Sequence, residues 1–513
     1  MKTGNLVIKN SMIALFAQIL TLLLSFALQS VFARTLGSEY MGLNGMFSNV
    51  LTILSFTELS IGNAIAFALY KPLHDRDYIK VAAILLLFKK VYIGVGSFLM
   101  IASFALLPFI NFFIHGANVP NVGVYFLLFA LNSVASYFFS YKRTLLIADQ
   151  KTYLNVLNQL LFRGVTFIFQ IYFLLNGNYM GFLISQILGT VLSNFIISRK
   201  INHAYAELFP LKAYSLTKED KKRLIQSTVG GMGQKIGSIV VNNTNNLFIA
   251  SFVSLSVTGI YSSYMMIITG LSVVISQFVN AITATIGHRV VDNNKKRMIE
   301  LFDRHQFLTL GIAFISAEAL INLTTPFVKV WLGSEFALDS LSVYLIAVNY
   351  FINIVRLSFL SFIQAMGLFK MSGLKSIFEA VINLIGCLVA LVIFKSGING
   401  LLFVTLVTNL LLNVFSESYI VYKYGIHAEM PKKFLVKFIC VVGYLVGCGM
   451  LISYISELLF NGQNIDTFLL RCVFTLFCSV ILYMPITAHS DNLKYFFNYF
   501  RKNLLMRKER EEA

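Results

Sequence analysis

The 513-residue sequence predicts an all-α polytopic membrane protein, and three observations carry that reading. Hydrophobic residues make up 57% and charged residues only 12%, where soluble domains hold about a quarter charged. Apolar windows of about 20 residues, the length that crosses a bilayer as helix, recur from end to end. Lys and Arg collect in alternate connections between those windows, as the positive-inside rule requires.

About fourteen windows qualify as spans. The first, 11–33, follows Lys2 and Lys9; it exceeds the roughly 7 to 15 residues of a signal-peptide core and is expected to stay in place. The second, 44–69, precedes a basic loop with Lys71 and Arg76. Then come 82–107, closed by Pro108, and 122–141, opened after Pro120 and followed by Lys142 and Arg143. Windows 153–175 and 179–197 lead to Arg199 and Lys200, then to the Lys-Glu-Asp-Lys-Lys-Arg run of 218–223. The second half repeats the scheme with 225–250, 257–285, 306–326, 340–363, 374–394 and 398–422. Two further windows, 434–458 and 467–487, precede a basic tail. Expected boundaries are therefore an N-terminal lobe of spans 1 to 6 (1–200), a basic linker (201–224), a C-terminal lobe of spans 7 to 12 (225–423), two additional spans (434–487) and a tail (488–513).

With the N-terminus inside, most of the 41 cationic residues lie in inner connections, leaving Arg34, Lys329, Lys395 and Arg471 outside. Both termini are thus expected in the cytoplasm. The formal charge of +18 is then topological, and nucleic acid is not an expected partner, because the charges are dispersed over short loops. The five cysteines all fall in spans and imply no disulfide framework. All seven prolines fall in loops or near span ends.

The chain also repeats. Ala33, Gly42, Thr52, Leu54, Ser55 and the run Asn63-Ala64-Ile65 recur at constant spacing as Ala250, Gly259, Thr269, Leu271, Ser272 and Asn280-Ala281-Ile282. An even number of spans per repeat gives two lobes of like orientation, related by an axis along the membrane normal, with a substrate cavity expected between them.

Polar residues at helical spacing mark where these spans turn away from lipid. Span 7 carries Ser227, Gly231, Lys235, Ser238, Asn242 and Asn245 on one stripe. Span 5 carries Asn155, Gln159, Arg163, Thr166 and Gln170; span 10 carries Asn349, Asn353 and Arg356; span 1 carries Ser11, Gln18, Ser25 and Gln29. Helix-to-helix hydrogen bonding is the better account of the Ser and Thr positions taken alone. An ionised side chain at the bilayer centre costs about 2.5 to 3.5 kcal/mol even on the lenient scale, so Arg163, Lys235 and Arg356 point to a hydrated path or an anionic ligand. Ion pairing with Glu58, Glu318, Glu379 or Glu417 is the competing account. Glu379 and Glu417 are expected near inner span ends, in reach of water. Gly230, Gly231, Gly233 and Gly237 crowd one place in span 7, as a hinge or as a close helix contact. No metal, nucleotide or catalytic motif occurs, so no enzyme, metal site or bound cofactor is expected.

The stretch Ala-Arg-Thr-Leu-Gly-Ser-Glu-Tyr-Met-Gly-Leu-Asn-Gly-Met-Phe (33–47), the Glu-Leu-Ser-Ile-Gly-Asn-Ala-Ile of 58–65 and the Phe-Ala-Leu-Tyr-Lys-Pro-Leu of 67–73 resemble the start of polysaccharide repeat-unit flippases. These form the O-antigen, capsule and exopolysaccharide branch of the multidrug/oligosaccharidyl-lipid/polysaccharide exporter superfamily. The segment 235–250 and the Gly-Ile-Tyr-Ser-Ser-Tyr of 259–264 resemble that family's seventh and eighth helices. Relatives often carry an acid where this chain has Asn245. The resemblance implies alternating-access transfer of an oligosaccharide on undecaprenyl pyrophosphate across a bacterial cytoplasmic membrane, with possible coupling to a proton or sodium gradient or to membrane potential. A polysaccharide polymerase and chain-length machinery are the implied protein partners. Lys235, Arg163 and Arg356 would meet the pyrophosphate, and Gln18, Gln29, Asn155, Gln159, Ser238, Asn242, Asn245, Asn349 and Asn353 the sugar hydroxyls. Glu58 and Glu318 would serve as charge partners or in coupling. A multidrug or cation exporter and a lipid II flippase are the alternatives, separated from this reading by the sign of the cavity and by the sugar.

Overall fold

Long apolar runs satisfy their backbone groups in lipid only as helix, and helix is what nearly all of this chain forms. The computed structural model describes residues 2–55, 61–114, 119–209, 216–220, 222, 232–290, 295–460, 462, 464–488, 490–496 and 498, without the side chains of 2–8, 61, 63, 64, 139, 232–236, 238, 240, 242 and 280–290. No strand occurs among the described residues.

The helices are α1 (Lys2–Leu54), α2 (Ile61–His74), α3 (Tyr78–Leu106), α4 (Val122–Ala148), α5 (Thr152–Leu175), α6 (Tyr179–Ala204), α7 (Met232–Phe252) and α8 (Leu255–Val290). They continue with α9 (Lys295–Trp331), α10 (Ser340–Ala365), α11 (Phe369–Ile393), α12 (Gly397–Ile426), α13 (Phe434–Leu459) and α14 (Ile465–Thr487). Among the described residues, 11 helices are long and apolar enough to cross a membrane, or 12 with the bent α4 included. The expected count of about fourteen is higher for two physical reasons. Window 11–33 and the start of window 44–69 run together in α1, bent at Gly37, whose φ of 78° suits a residue without a side chain. In α7, the side-chain amides of Asn242, Asn243, Asn245 and Asn246 lower the hydropathy below that of a free-standing span. Prolines also enter helices: Pro72, Pro326 and Pro485 stand inside α2, α9 and α14.

The chain divides into two compact units, Met1–Ser263 with Ser376–Leu384, and Tyr264–Lys375 with Ile385–Ala513. In the first, α1 packs on α5 and α7, α4 on α3 and α6, and α5 on α6. Leu43, Met46, Phe47 and Phe126 are fully buried there. Gly42 and Gly259, which correspond in the sequence repeat, meet face to face. A Cβ on Gly42 would collide with the Leu255 carbonyl, and one on Gly259 with the Ser38 carbonyl. Beside them Ser38 Oγ and Ser256 Oγ share a 2.6 Å hydrogen bond. Such reciprocity is what two copies of one segment produce when they pack about a local two-fold axis.

In the second unit α9 packs on α10, α13 and α14, and α10 on α12. Phe302 of α9 sits edge-on to Phe362 of α10, with ring centroids 5.0 Å apart at 85°. Between lipid-facing helices such van der Waals fit, rather than water exclusion, provides the attraction. The lower part of α12 winds with π turns at Asn409–Val414 and Val421–Ile426, which rotates the side chains that follow. π turns of this kind often accompany functional or buried polar groups.

Candidate functional site

Polar stripes on four helices of the first unit converge on one cavity of about 580 Å³. From α5 come Gln159, Arg163, Thr166 and Gln170, the stripe expected from spacing. From α4 come Asn132, Ser136 and Arg143, and from α6 Gln186, Thr190, Ser193 and Asn194. Asn44 and Ser48 close it from α1. Close approach of α5 and α6 depends on Gly189, where a Cβ would strike the Thr166 hydroxyl.

Among the described residues two guanidinium groups face this space and no carboxylate lines it. Arg163 Nη2 donates to Ser25 Oγ at 2.9 Å. Arg143 Nη2 donates to Ser193 Oγ at 3.2 Å, while its buried Nε has no acceptor. Ser193 is itself held by Asn158 Nδ2, at 2.8 Å to Oγ and 3.1 Å to the carbonyl. Thr190 donates to Asn132 Oδ1 at 2.7 Å, and Asn44 Oδ1 is buried without a donor. The walls are thus cross-linked, yet among the described residues donors on both arginines stay uncommitted. An anion with several oxygens, a carboxylate or a phosphate, fits such a fork-shaped donor set.

The second unit treats its cations differently. Arg356 on α10 forms a bidentate pair with Glu417 on α12, at 3.0 Å from Nε and 2.7 Å from Nη2. Lys375 on α11 reaches the same carboxylate at 2.7 Å. Arg356 Nη1 is further bonded to Asn353 and Asn409, and Asn409 in turn to Asn349 and Asn413. Glu417 is 1% exposed and Glu379 7%, which corrects the expectation that both reach water: α12 continues through its second π turn to Ile426, placing Glu417 deep in the packed helix.

No family model matches the sequence, and no curated protein matches it. Solved structures do match. A MATE-family multidrug resistance transporter of the MOP superfamily, in an inward-facing conformation, is similar with a TM-score of 0.62 at 15% identity, over 78% of this chain and 94% of that one. The lipid II flippase MurJ in an inward closed conformation is similar with a TM-score of 0.65 at 13% identity, over 93% of this chain and 98% of that one. This is the fold of the MOP-superfamily transporters. Another transporter of that superfamily, from Pyrococcus furiosus, is described as having a binding pocket of reversed polarity that suggests a different function; it is similar with a TM-score of 0.53 at 14% identity, over 80% of this chain and 92% of that one.

Within this MOP fold the remaining sequence candidates scatter. Gln29 donates to Ser263 Oγ at 3.1 Å, and Asn245 to Tyr261 Oη at 3.5 Å, so both tie helices together. Gln18 is exposed and lies outside the cavity lining, as does Asn155, whose buried Oδ1 lacks a donor. Asn349 bonds the Leu345 and Leu402 carbonyls. Glu318 is fully buried, with Oε2 accepting from Asn322 Nδ2 at 3.3 Å. Gly237 packs so closely on Ser376 that a Cβ would meet its carbonyl, so at this glycine the contact is structural. Gly233 stands on α7. Glu58, Gly230, Gly231 and the side chains of Lys235, Ser238 and Asn242 lie outside the described residues.

Sequence reasoning missed Arg143 because span 4 was expected to end at 141. The helix runs on to Ala148, so a residue read as a loop cation belongs to the helix wall. Asn132, Ser136 and Arg143, spaced by whole turns, were the available signal.

Proposed function

We propose that the chain is a flippase that carries an oligosaccharide on undecaprenyl pyrophosphate between leaflets by alternating access. The carrying observation is the cavity lined by Arg143 and Arg163, with no carboxylate among its described lining residues. An amphipathic cation would be repelled there, which argues against the multidrug reading, whereas a pyrophosphate gains replacements for its lost water. Amide and hydroxyl groups around the arginines suit sugar hydroxyls. Lys235 on α7 is proposed as a third cation for the head group. Arg356 is reassigned to holding Glu417, since its fork is already filled.

The MurJ likeness, over 93% of the chain against 78% for the MATE transporter, favours lipid-linked cargo and keeps lipid II as the second reading. The proposed setting is a bacterial cytoplasmic membrane with both termini inside. A cysteine at Ser215 tests this: it labels with an impermeant maleimide only after permeabilisation, and labelling of intact cells overturns the orientation. The function is tested in proteoliposomes by the leaflet accessibility of an undecaprenyl-pyrophosphate oligosaccharide. Transfer by the wild-type chain, competed by undecaprenyl pyrophosphate and not by a lipophilic cation, is the expected result; the reverse order of competition overturns it.

A further inference from the structure

A second cavity, of about 350 Å³, lies wholly in the other unit, between the ends of α9, α10, α13 and α14. Three charges line it: Lys329 on α9, Glu457 on α13 and Arg471 on α14. Among the described residues no ion pair within 4.0 Å joins them. Arg471 directs Nε, at 3.1 Å, and Nη2 to the Phe460 carbonyl, and among the described residues Nη1 has no acceptor.

Asn322 stands in the wall of the cavity. It is 6% exposed, with Nδ2 donating to the Glu318 carbonyl at 2.9 Å and to Glu318 Oε2 at 3.3 Å. Its Oδ1 has no donor. One turn on, Pro326 lacks the amide that would bond the Asn322 carbonyl. Unmet acceptors in a buried setting cost free energy unless something supplies a proton donor.

A free inorganic phosphate would meet Glu457, and a plain ammonium would meet Lys329 and Arg471. A ligand bearing both signs meets neither repulsion. The neighbouring faces of α13 and α14 expose Leu458, Leu459, Leu469, Leu470 and Val473, which suit acyl chains. We propose that this cavity binds a phosphoryl-ammonium zwitterion, the head group of phosphatidylethanolamine, with phosphate on Lys329 and Arg471 and ammonium on Glu457. By the distribution of cations this end of α9 faces outward, so the lipid comes from the outer leaflet.

Trp331 is the chain's single tryptophan and reports on the site. It stacks on Phe327 at 5.4 Å, and Phe327 lies 5.9 Å from Phe468, which lines the cavity. The full chain in detergent is titrated with dihexanoyl phosphatidylethanolamine, with dihexanoyl phosphatidylglycerol and with O-phosphoethanolamine. A saturable change in Trp331 emission is expected with the first and not with the second. Weaker saturation with O-phosphoethanolamine assigns a lipid source; equal affinity keeps the head-group site and makes its source soluble. Glu457→Gln and Lys329→Gln, both at exposed side chains, should each weaken phosphatidylethanolamine about tenfold. Equal responses to both lipids, no response to any probe, or unchanged affinity in both variants overturns the proposal. These outcomes leave the flippase reading untouched, because the N-terminal cavity shares none of these residues.

Discussion

Arg163 and Arg356 look alike in the sequence: each lies within a span, on a stripe of amides at helical spacing. Their surroundings differ. Among the described residues Arg163 makes one bond, to Ser25, beside a cavity whose described lining holds no acid. Arg356 is closed by a bidentate carboxylate, which also holds Lys375. The comparison teaches that a polar stripe says only that a helix face avoids lipid. Whether its cation is available to a ligand depends on what the facing helices bring.

Four sets of substitutions break or sharpen that contrast. The largest effect is expected from Glu417→Gln, which strands Arg356 and Lys375 in a packed interior. Losing one member of such a network costs about 3 to 5 kcal/mol, read as a lower unfolding midpoint in detergent. Adding Arg356→Met should recover part of that loss; if the single change is silent, the network is not holding the unit together. Next come Arg143→Ala and Arg163→Ala, each expected to lower transfer of the pyrophosphate lipid by about tenfold or more. Little change in unfolding midpoint should accompany the Arg163 variant, and transfer at the wild-type rate in both variants would remove the head-group role. Gly42→Ala forces a methyl against the Leu255 carbonyl and should destabilise by about 1 to 3 kcal/mol. Gly259→Ala should do the same by symmetry, and a large difference between the two breaks the repeat contact. The smallest effect belongs to Gln18→Ala, outside the cavity lining, with transfer expected to stay within about twofold of the wild type. A severe defect there would mean that α1 reaches substrate through its Gln18 face.

Much of the architecture was legible in one dimension, because the bilayer imposes length and polarity on every span. Among the described residues 11 or 12 helices suit a span, and the stripe of α5 leads directly to the cavity. Boundaries carried the error. Span 4 stops in the sequence where cations begin, but a helix does not end at a charge whose side chain can turn inward, and Arg143 was lost for that reason. The same rule, applied to α12, wrongly put Glu417 near water.

Composition, periodicity and the spread of cations by themselves determined that this chain crosses a membrane many times as helix. They also determined which helix faces avoid lipid and which segments repeat. These properties are local or additive, since each residue's transfer into hydrocarbon is nearly independent of distant ones. Only the tertiary structure decided which charges are spent on one another. The carboxylate that closes Arg356 is 61 residues away, and the serines that orient Arg143 and Arg163 come from other helices. Such pairings depend on distances of a few ångströms between helices, where a hydrogen bond forms or fails, and no spacing along a single helix encodes them.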